Sequence, residues 1–287
     1  MDVFQSNISV VNKIWHEDKN YRIWDLDNGI KRCLILFSSN GIYAPNTEEA
    51  FVEKIINNDR YEFQNIAKDT MFKKRFGRII FVRDLWRAWY VRGINDNADS
   101  IEKTIHLLYP YVRDYELYTA GISSGGYMAV IAGIKLNAKA VYNFSGQFRI
   151  EKERRKGIIG EYEEDNEKNV YFDLVPLIEQ ATIPIFYFFP GNSEWDKTQS
   201  ELVKDCKNIY RFEFRHKEHG NTVLTYNFKY IFCMNINKLV KYSTTFHNKQ
   251  IGGIIFLILT GGVRGLFDCM IGLKSLLLKH KRSKNEE

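Results

Sequence analysis

One short glycine–serine segment carries the clearest sign of chemistry in this sequence. Gly121-Ile-Ser-Ser-Gly-Gly126 contains the pattern Gly-x-Ser-x-Gly, with Ser123 at its centre. This spacing suits a chain that leaves a strand, turns sharply and enters a helix at once, because side chains two positions either side of the serine would collide. Such a turn exposes the hydroxyl, and the first helical amides face developing negative charge. We therefore predict that Ser123 is a nucleophile.

A serine nucleophile needs a base, and the base needs an acid that orients it. On elbows of this kind the acid and then the histidine follow the serine in the chain. Asp196 follows a late apolar run and is the predicted acid, although it could instead cap the next helix, with Glu194 as the substitute. His219 is the predicted base, and His216 in the same loop competes with it.

The tetrahedral intermediate of acyl transfer needs two backbone N–H donors for its oxyanion. Ser124, which follows the nucleophile, is expected to supply one of them. The second is expected from Ser38-Ser39-Asn40-Gly41, the loop after the first buried strand, and Ser39 is the chosen donor. This loop lacks a His-Gly-Gly run, so the sequence leaves the identity of the second donor open.

The elements that must position these residues are recurring apolar runs separated by stretches of helical character. Continuous apolar runs indicate strands buried on both faces, and their alternation with helices predicts a mainly parallel, twisted sheet with helices on both faces, a three-layer α/β fold. The helical stretches are Ser100–Tyr109, Gly126–Leu136 and Thr198–Lys207. The strand-like runs are Lys31–Phe37, Arg78–Val82, Tyr115–Thr119, Ala138–Phe144, Ile183–Phe189 and Ile209–Phe214.

Several segments do not fit this alternation of strands and helices. Ile8–Trp15 alternates in the manner of an additional strand. Residues 148–180 are rich in charge and form either a solvated insertion or a cap over the site. Residues 1–242 are therefore predicted to form one domain, followed by an apolar and basic helical tail at 243–287. Within the tail, residues 251–282 begin with the apolar run Ile251–Gly262, which is too short to span a bilayer because a span needs roughly 20 residues. They are expected either to lie at a membrane interface or to dock on the domain or a partner.

Composition excludes some classes of function. The net charge is +6 and the basic residues are scattered, without a nucleic-acid motif. The four cysteines form no CxxC pair, which indicates buried free thiols and no metal site. The first 20 residues lack the pattern of a secretory signal, so a cytoplasmic location, with or without membrane association, is expected.

A basic and aromatic loop, Arg83–Gly93, follows a predicted strand at the same edge of the predicted sheet as Ser123. Arg83 and Arg87 in this loop could bind an anionic sugar or nucleotide, or the phosphate of coenzyme A. The alternative is that the loop simply packs against its neighbours.

With serine, acid and histidine in this order, residues Lys31–Tyr242 resemble the α/β-hydrolase superfamily. Phe37-Ser38 after the first buried strand, the elbow with Gly125-Gly126 and the histidine before small polar residues also resemble bacterial capsule and surface-polysaccharide O-acetyltransferases of that fold. The second resemblance implies an acetyl-serine intermediate and acetyl-coenzyme A as donor. The tail after Tyr242 has no counterpart in that pattern.

Three hypotheses about function follow. The first is an esterase-type serine hydrolase acting on an ester or an acetylated carbohydrate, with no cofactor. The second is an O-acetyltransferase that moves an acetyl group from acetyl-coenzyme A to a cell-surface polysaccharide. The third is a non-catalytic partner protein of a surface-glycan pathway. The expected ligand is a small molecule or a glycan.

Overall fold

An eight-stranded sheet forms the centre of the part of the chain that the structure describes. The computed structural model describes residues 9–151, 170–220 and 222–283, without the side chains of residues 269 and 272–283. The strand order is β1-β3-β2-β4-β5-β6-β7-β8, and only the β1–β3 pair is antiparallel. The strands are β1 (Tyr21–Asp25), β2 (Arg32–Phe37), β3 (Arg78–Val82), β4 (Glu116–Ile122), β5 (Ala140–Phe144), β6 (Ile185–Pro190), β7 (Ile209–Phe214) and β8 (Gln250–Ile251).

Helices cover both faces of this sheet. Eight of the helices in the described residues are longer than five residues. Val52–Asn57 continues α2 as a π-helical turn. The helices are α1 (Ser9–Glu17), α2 (Glu48–Phe51), α3 (Gln64–Ala67), α4 (Thr70–Arg75), α5 (Ile101–Val112), α6 (Ser124–Lys135), α7 (Val175–Glu179), α8 (Glu194–Leu202), α9 (Asn227–Cys233), α10 (Ile236–Thr245) and α11 (Gly253–Ser283).

Alternation along β2 shows how the strands separate two apolar layers. Cys33, Ile35 and Phe37 pack in a cluster with α5 and α6, whereas Leu34 and Leu36 pack in a second cluster with α4 and α9. All five side chains are buried, as expected for a strand covered on both sides. The predicted three-layer α/β fold class is confirmed by this arrangement.

The two ends of the chain differ from the sequence expectation. Ile8–Trp15 was expected to form a strand, but Ser9–Glu17 is helical. Val11 and Trp15 are buried at a spacing of four residues, which is the period of a helix face. At the other end the sheet extends past residue 242, because β8 pairs in parallel with β7. The cap expected at 148–180 lies largely outside the described residues, since residues 152–169 are not described.

The helix α11 continues directly from β8. Its helical pattern is interrupted at Gly262, where φ is 57° and ψ is −139°. Within the described ranges, α11 and every other helix are too short or too polar to cross a bilayer.

Candidate active site

The turn between β4 and α6 holds Ser123 in a strained backbone conformation. Ser123 has φ 53° and ψ −121°, outside the regions that non-glycine residues favour. Such conformations cost on the order of 1–3 kcal/mol, and they persist only where the surrounding structure enforces them. The Ser123 N–H donates to Phe144 O on the neighbouring strand at 2.8 Å, which ties the turn to β5.

Close backbone contacts explain why glycine stands on both sides of the serine. A Cβ atom on Gly121 would lie 2.2 Å from the carbonyl carbon of Gly125. A Cβ atom on Gly125 would lie 2.2 Å from Phe37 O at the end of β2. Any side chain at either position would push α6 away from the sheet and displace the hydroxyl between them.

The predicted histidine and acid lie beside this serine. The Oγ atom of Ser123 is 2.8 Å from Nε2 of His219, and Nδ1 of His219 is 3.1 Å from both carboxylate oxygens of Asp196. The three side chains therefore form one hydrogen-bonded chain from hydroxyl through imidazole to carboxylate. It spans three elements, because His219 follows β7 and Asp196 lies in the first turn of α8.

The competing candidates are not part of this hydrogen-bonded chain. The Glu194 side chain is 93% exposed and faces Lys197. Within the described residues His216 makes no side-chain hydrogen bond, and its ring lies near Gly253 at the start of α11. The structure therefore brings together Ser123, His219 and Asp196 among the residues that the sequence offered.

The surroundings of Asp196 keep its carboxylate in place. Asp196 is 1% exposed, and the Ser193 hydroxyl donates to its Oδ2 atom at 2.6 Å. Ser193 also accepts from the Asp196 N–H at 3.4 Å and is the residue that caps α8, so the alternative of Asp196 as the helix cap is wrong. The cap and the acid are thereby linked, and the carboxylate oxygens remain directed at the imidazole.

The imidazole of His219 also has neighbours beyond its two hydrogen bonds. The ring of Trp195 lies 4.5 Å from it, centroid to centroid, with the two planes inclined by 39°. The Nε2 atom of Gln147 lies 3.4 Å from Nε2 of His219. Trp195 limits the rotation of the ring, and Gln147 presents an amide to the edge that faces the serine. We call His219, Asp196, Ser193 and Trp195 the His219 side of the site.

The opposite flank, the Ser39 side, consists of residues 38–41, 60–63 and 83–93. Here the Ser39 N–H donates to Glu62 Oε2 at 2.8 Å, and its hydroxyl donates to Oε1 at 2.6 Å. Burial raises the pKa of the Glu62 carboxyl, and the bonds from Ser39 and the charge of Arg60 oppose that shift only in part. Because the Ser39 amide already has an acceptor, it is not available to an oxyanion in this conformation, contrary to the expectation.

Two other amides meet the requirement for a free donor. Ser124 is the first residue of α6, and first-turn amides have no acceptor within their own helix. The Asn40 N–H has no acceptor within the described part of the chain. The loop at residues 38–41 therefore keeps a candidate for the second donor, and the sequence pattern could not show that Glu62 engages the Ser39 amide.

Arg83 is not a binding residue of the rim. Its side chain is 1% exposed, and its guanidinium donates to Asp18 at 2.7 Å, Asp59 at 2.9 Å and Asn20 at 3.1 Å. These partners hold β1, β3 and the chain before Arg60 together. The expectation that Arg83 contacts an anionic substrate is therefore wrong, because its guanidinium is buried and already paired with carboxylates of the same chain.

Arg87 lies in the loop that follows, in a half-buried position. Its guanidinium carbon is 5.2 Å from the centre of the Tyr43 ring, and its Nε and Nη1 atoms are buried with no hydrogen-bond partner within the described residues. The Arg87 carbonyl accepts from the side chain of Asn40 at 2.8 Å. Arg87 thus lies next to the loop of the second donor, and its contact with a substrate stays a prediction.

Asp84 gives this loop its shape. Its carboxylate accepts from the N–H groups of Trp86 at 2.9 Å, Ala88 at 2.7 Å and Tyr90 at 2.9 Å. Burial raises the pKa of the Asp84 carboxyl to about 6, against the three hydrogen bonds. Arg87, Trp89 and Tyr90 all have positive φ, so the carboxylate stabilises a backbone that these residues would not adopt alone.

Gln147 connects the two sides, although it was not among the predicted catalytic or substrate-binding residues. Its Oε1 atom accepts from Trp89 Nε1 at 2.6 Å on the Ser39 side, and its Nε2 atom lies beside His219. Gln147 follows β5, the strand next to the elbow, and the carboxyl ends of parallel strands share one edge of the sheet. That position is the signal by which it could have been found.

A cleft of about 690 Å³ opens next to the elbow. Its lining includes Ile122, the residue before the serine, together with Glu62 and the aromatic rings of Tyr61 and Phe228. Two cationic residues, Lys54 and Arg60, also line it. The cleft therefore brings aromatic, amide and cationic side chains next to Ile122, at the strand end that precedes Ser123.

No metal site is formed by the part of the chain that the structure describes. In residues 9–151, 170–220 and 222–283 there is no group of three or more His, Cys, Asp or Glu side chains that could hold a metal ion. Cys33 and Cys206 are buried free thiols, and burial raises the pKa of the Cys33 thiol above its ordinary value.

The mainly parallel sheet carries a strand–serine–helix elbow at its carboxyl edge, and an acid and a histidine follow later strands. This combination decides the fold. The chain has an α/β-hydrolase fold. Neither a protein-family model nor a curated protein sequence matches it.

Several solved structures are similar to this chain at low sequence identity. MenH from S. aureus is 11% identical over 79% of this chain and 100% of its own, with a TM-score of 0.49. The capsule O-acetyltransferase of Neisseria meningitidis serogroup A is 14% identical over 79% of this chain and 91% of its own, with a TM-score of 0.48. FphF, a fluorophosphonate-binding serine hydrolase of Staphylococcus aureus, is 11% identical over 75% and 86%, with a TM-score of 0.45.

Proposed function

We propose that this protein is an enzyme that transfers acyl groups through a covalent intermediate on Ser123. The observation that carries the proposal is the hydrogen-bonded chain from Ser123 through His219 to Asp196, placed on a strained elbow. A serine hydroxyl is a weak nucleophile at neutral pH, and a neighbouring imidazole with an orienting carboxylate is the arrangement that activates it.

In the proposed reaction the Ser123 oxygen attacks the carbonyl carbon of an ester while Nε2 of His219 takes the hydroxyl proton. The carbonyl oxygen becomes an oxyanion, for which the amides of Ser124 and Asn40 are the proposed donors. The tetrahedral intermediate then breaks its bond to the alcohol oxygen, which receives the proton from His219. A water molecule, deprotonated by the same imidazole, next releases the acid and restores the serine.

Asp196 has an orienting role in this proposal. With Nδ1–H of His219 directed at its carboxylate, Nε2 is left as the proton acceptor that faces Ser123. The negative charge also stabilises the imidazolium that forms during attack. Ser193 contributes by donating to the same carboxylate and by holding the start of α8.

The preferred substrate class is an ester, including an acetylated carbohydrate. The cleft beside Ile122 supports this choice, because aromatic faces and amide side chains suit a polar ring. A second candidate is O-acetyl transfer from acetyl-coenzyme A to a polysaccharide hydroxyl, in which an alcohol replaces the water of the last step. The positive charge of Lys54 and Arg60 in the cleft favours an anionic donor of this kind.

Hydrolysis of p-nitrophenyl acetate by the wild-type chain and by Ser123→Ala tests the proposal. We expect release of p-nitrophenol by the wild-type protein and its loss in the variant. Transfer is then measured with acetyl-coenzyme A and candidate glycans, and thiol release that depends on a glycan would favour the second candidate. A wild-type protein that is inactive in both assays would support the third hypothesis, a non-catalytic partner protein.

A further inference from the structure

The outward face of α11 is the largest concentration of exposed apolar side chains in the described part of the chain. Nine of the twelve exposed large hydrophobic residues there belong to this helix, and they recur at spacings of three and four residues. This is the period of one helix face on either side of the interruption at Gly262. The nine residues are Ile254, Ile255, Ile258, Leu259, Val263, Leu266, Phe267, Met270 and Ile271.

The inward face of α11 is fixed to the body of the protein. Phe256 and Leu257 are fully buried, and Phe256 packs against aromatic rings at the ends of β6 and β7. The Asp268 carboxylate pairs with Lys229 at 2.8 Å and accepts from the Tyr230 hydroxyl. The helix is therefore held at several points along its length, and its apolar outer face is a feature of the folded chain.

Charge along the helix indicates what would cover that face. Asp268 is the only acidic residue between 253 and 285 in the sequence, and its side chain points toward α9. The outward surface of residues 253–271 thus has no acidic side chain, and Arg264 lies exposed within it. The sequence that follows is basic, with Lys274, Lys279, Lys281, Arg282 and Lys284.

We propose that α11 docks this protein on the surface of an anionic lipid bilayer. Its apolar side chains would enter the boundary between headgroups and acyl chains, and the positive charge of the sequence from Arg264 onward would attract the anionic headgroups. A second copy of this chain fits less well, because both copies would bring positive charge and no acidic partner to the contact. The proposal is independent of the catalytic role of Ser123.

The start of α11 lies at the same edge of the sheet as the candidate active site. It begins immediately after β8, and Gly253 lies beside His216 in the loop that also carries His219. Docking through the first turns of α11 would bring this edge of the sheet close to the lipid headgroups.

Vesicle flotation with the full chain tests the proposal. Vesicles of phosphatidylcholine alone are compared with vesicles containing about 30% phosphatidylglycerol, at low salt and at about 0.5 M NaCl. We expect the wild-type protein to float with the anionic vesicles, less with the neutral ones, and less at high salt. The double variant Ile258→Asp/Phe267→Asp should lower the bound fraction about ten-fold, because it places charge on the apolar face.

The matched control is Ile56→Asp/Tyr109→Asp, which changes two exposed apolar residues elsewhere and should bind as the wild type does. Far-UV circular dichroism and Tm identify any variant that fails to fold. The proposal is overturned if the wild type does not float or if the folded face variant floats equally well. It is also overturned if the wild type is a dimer in solution that the face variant dissociates, since a second copy would then occupy the face.

Discussion

The two sides of the candidate site are built in different ways. On the His219 side a buried carboxylate, Asp196, accepts from an imidazole, and the groups that matter are side chains. On the Ser39 side two carboxylates, Glu62 and Asp84, accept from backbone amides and thereby shape the loops themselves. One side would hold and move a proton, whereas the other sets which amides are left free.

Because of this difference, substitutions on the two sides should reduce the catalytic rate by different amounts. A change on the His219 side removes a group that would act directly on the proton of Ser123. A change on the Ser39 side alters the direction of an amide or the stability of a loop, so its effects on rate should be smaller. Substitutions on the His219 side should therefore lower the rate more than substitutions on the Ser39 side.

The strongest test of the His219 side is His219→Ala beside His216→Ala. We expect His219→Ala to lower kcat for ester hydrolysis by about 10⁶-fold, because His219 is the base that hydrogen-bonds to the serine in the part of the chain that the structure describes. His216→Ala should change kcat little, since its ring makes no hydrogen bond with Ser123 or Asp196. Equal losses in the two variants would mean that the base has been assigned wrongly.

The orienting role of Asp196 is tested by Asp196→Asn beside Glu194→Gln. The amide would still fill the space but could hold the imidazole in the wrong tautomer, so kcat should fall by about 10⁴-fold with little change in KM. Glu194→Gln, at an exposed position in the same turn of α8, is the matched control. A loss below about ten-fold in Asp196→Asn would contradict the role given to the carboxylate.

On the Ser39 side the decisive comparison is between Asn40→Pro and Asn40→Ala. Proline removes the backbone N–H that we assign to the oxyanion, and alanine retains it. We expect Asn40→Pro to lower kcat by about 10²- to 10³-fold and Asn40→Ala to have a much smaller effect. A Tm close to that of the wild type must first show that both variants are folded. If both folded variants keep the wild-type kcat, another amide is the second donor.

The smallest effect concerns stability and its dependence on pH. Because the pKa of Asp84 in the folded chain is about 6, above its ordinary value, its contribution to stability is present below about pH 4 and is lost as pH rises through 6. The free energy of unfolding of the wild type, relative to Asp84→Asn, should therefore fall by on the order of 3 kcal/mol between pH 4 and pH 7.

Urea unfolding at the two pH values measures this difference. Asp114→Asn removes an exposed carboxylate and is the control for the change in net charge. A difference between wild type and Asp84→Asn that stays constant across this range would show that the carboxylate is not held at a raised pKa.

The same contrast explains how far the sequence could predict the molecule. The buried strands were predictable because a strand covered on both faces needs apolar side chains at every position. In β2, Leu34 and Leu36 face one apolar layer, and Cys33 and Ile35 face the other. Ser123, His219 and Asp196 could be placed together because side chains that follow parallel strands meet at one edge of the sheet. These inferences need only the order of elements along the chain.

The Ser39 side could not be predicted in this way. Glu62 is far from Ser39 in the sequence, and nothing local shows that its carboxylate takes up the Ser39 amide. The positive charge of Arg83 suggested a binding residue. Its guanidinium is instead buried and paired with Asp18 and Asp59, which belong to distant segments of the chain. Amide direction and ion-pair burial depend on long-range packing, which a single sequence pattern does not specify.

The central claim is that Ser123 is an activated nucleophile. Incubation with a fluorophosphonate probe, followed by mass spectrometry of the proteolytic peptides, tests it most directly. We expect a phosphonyl adduct on Ser123 that persists in Ser124→Ala and disappears in Ser123→Ala and His219→Ala. A folded wild-type protein that forms no adduct, or one that carries the adduct on another residue, would contradict it.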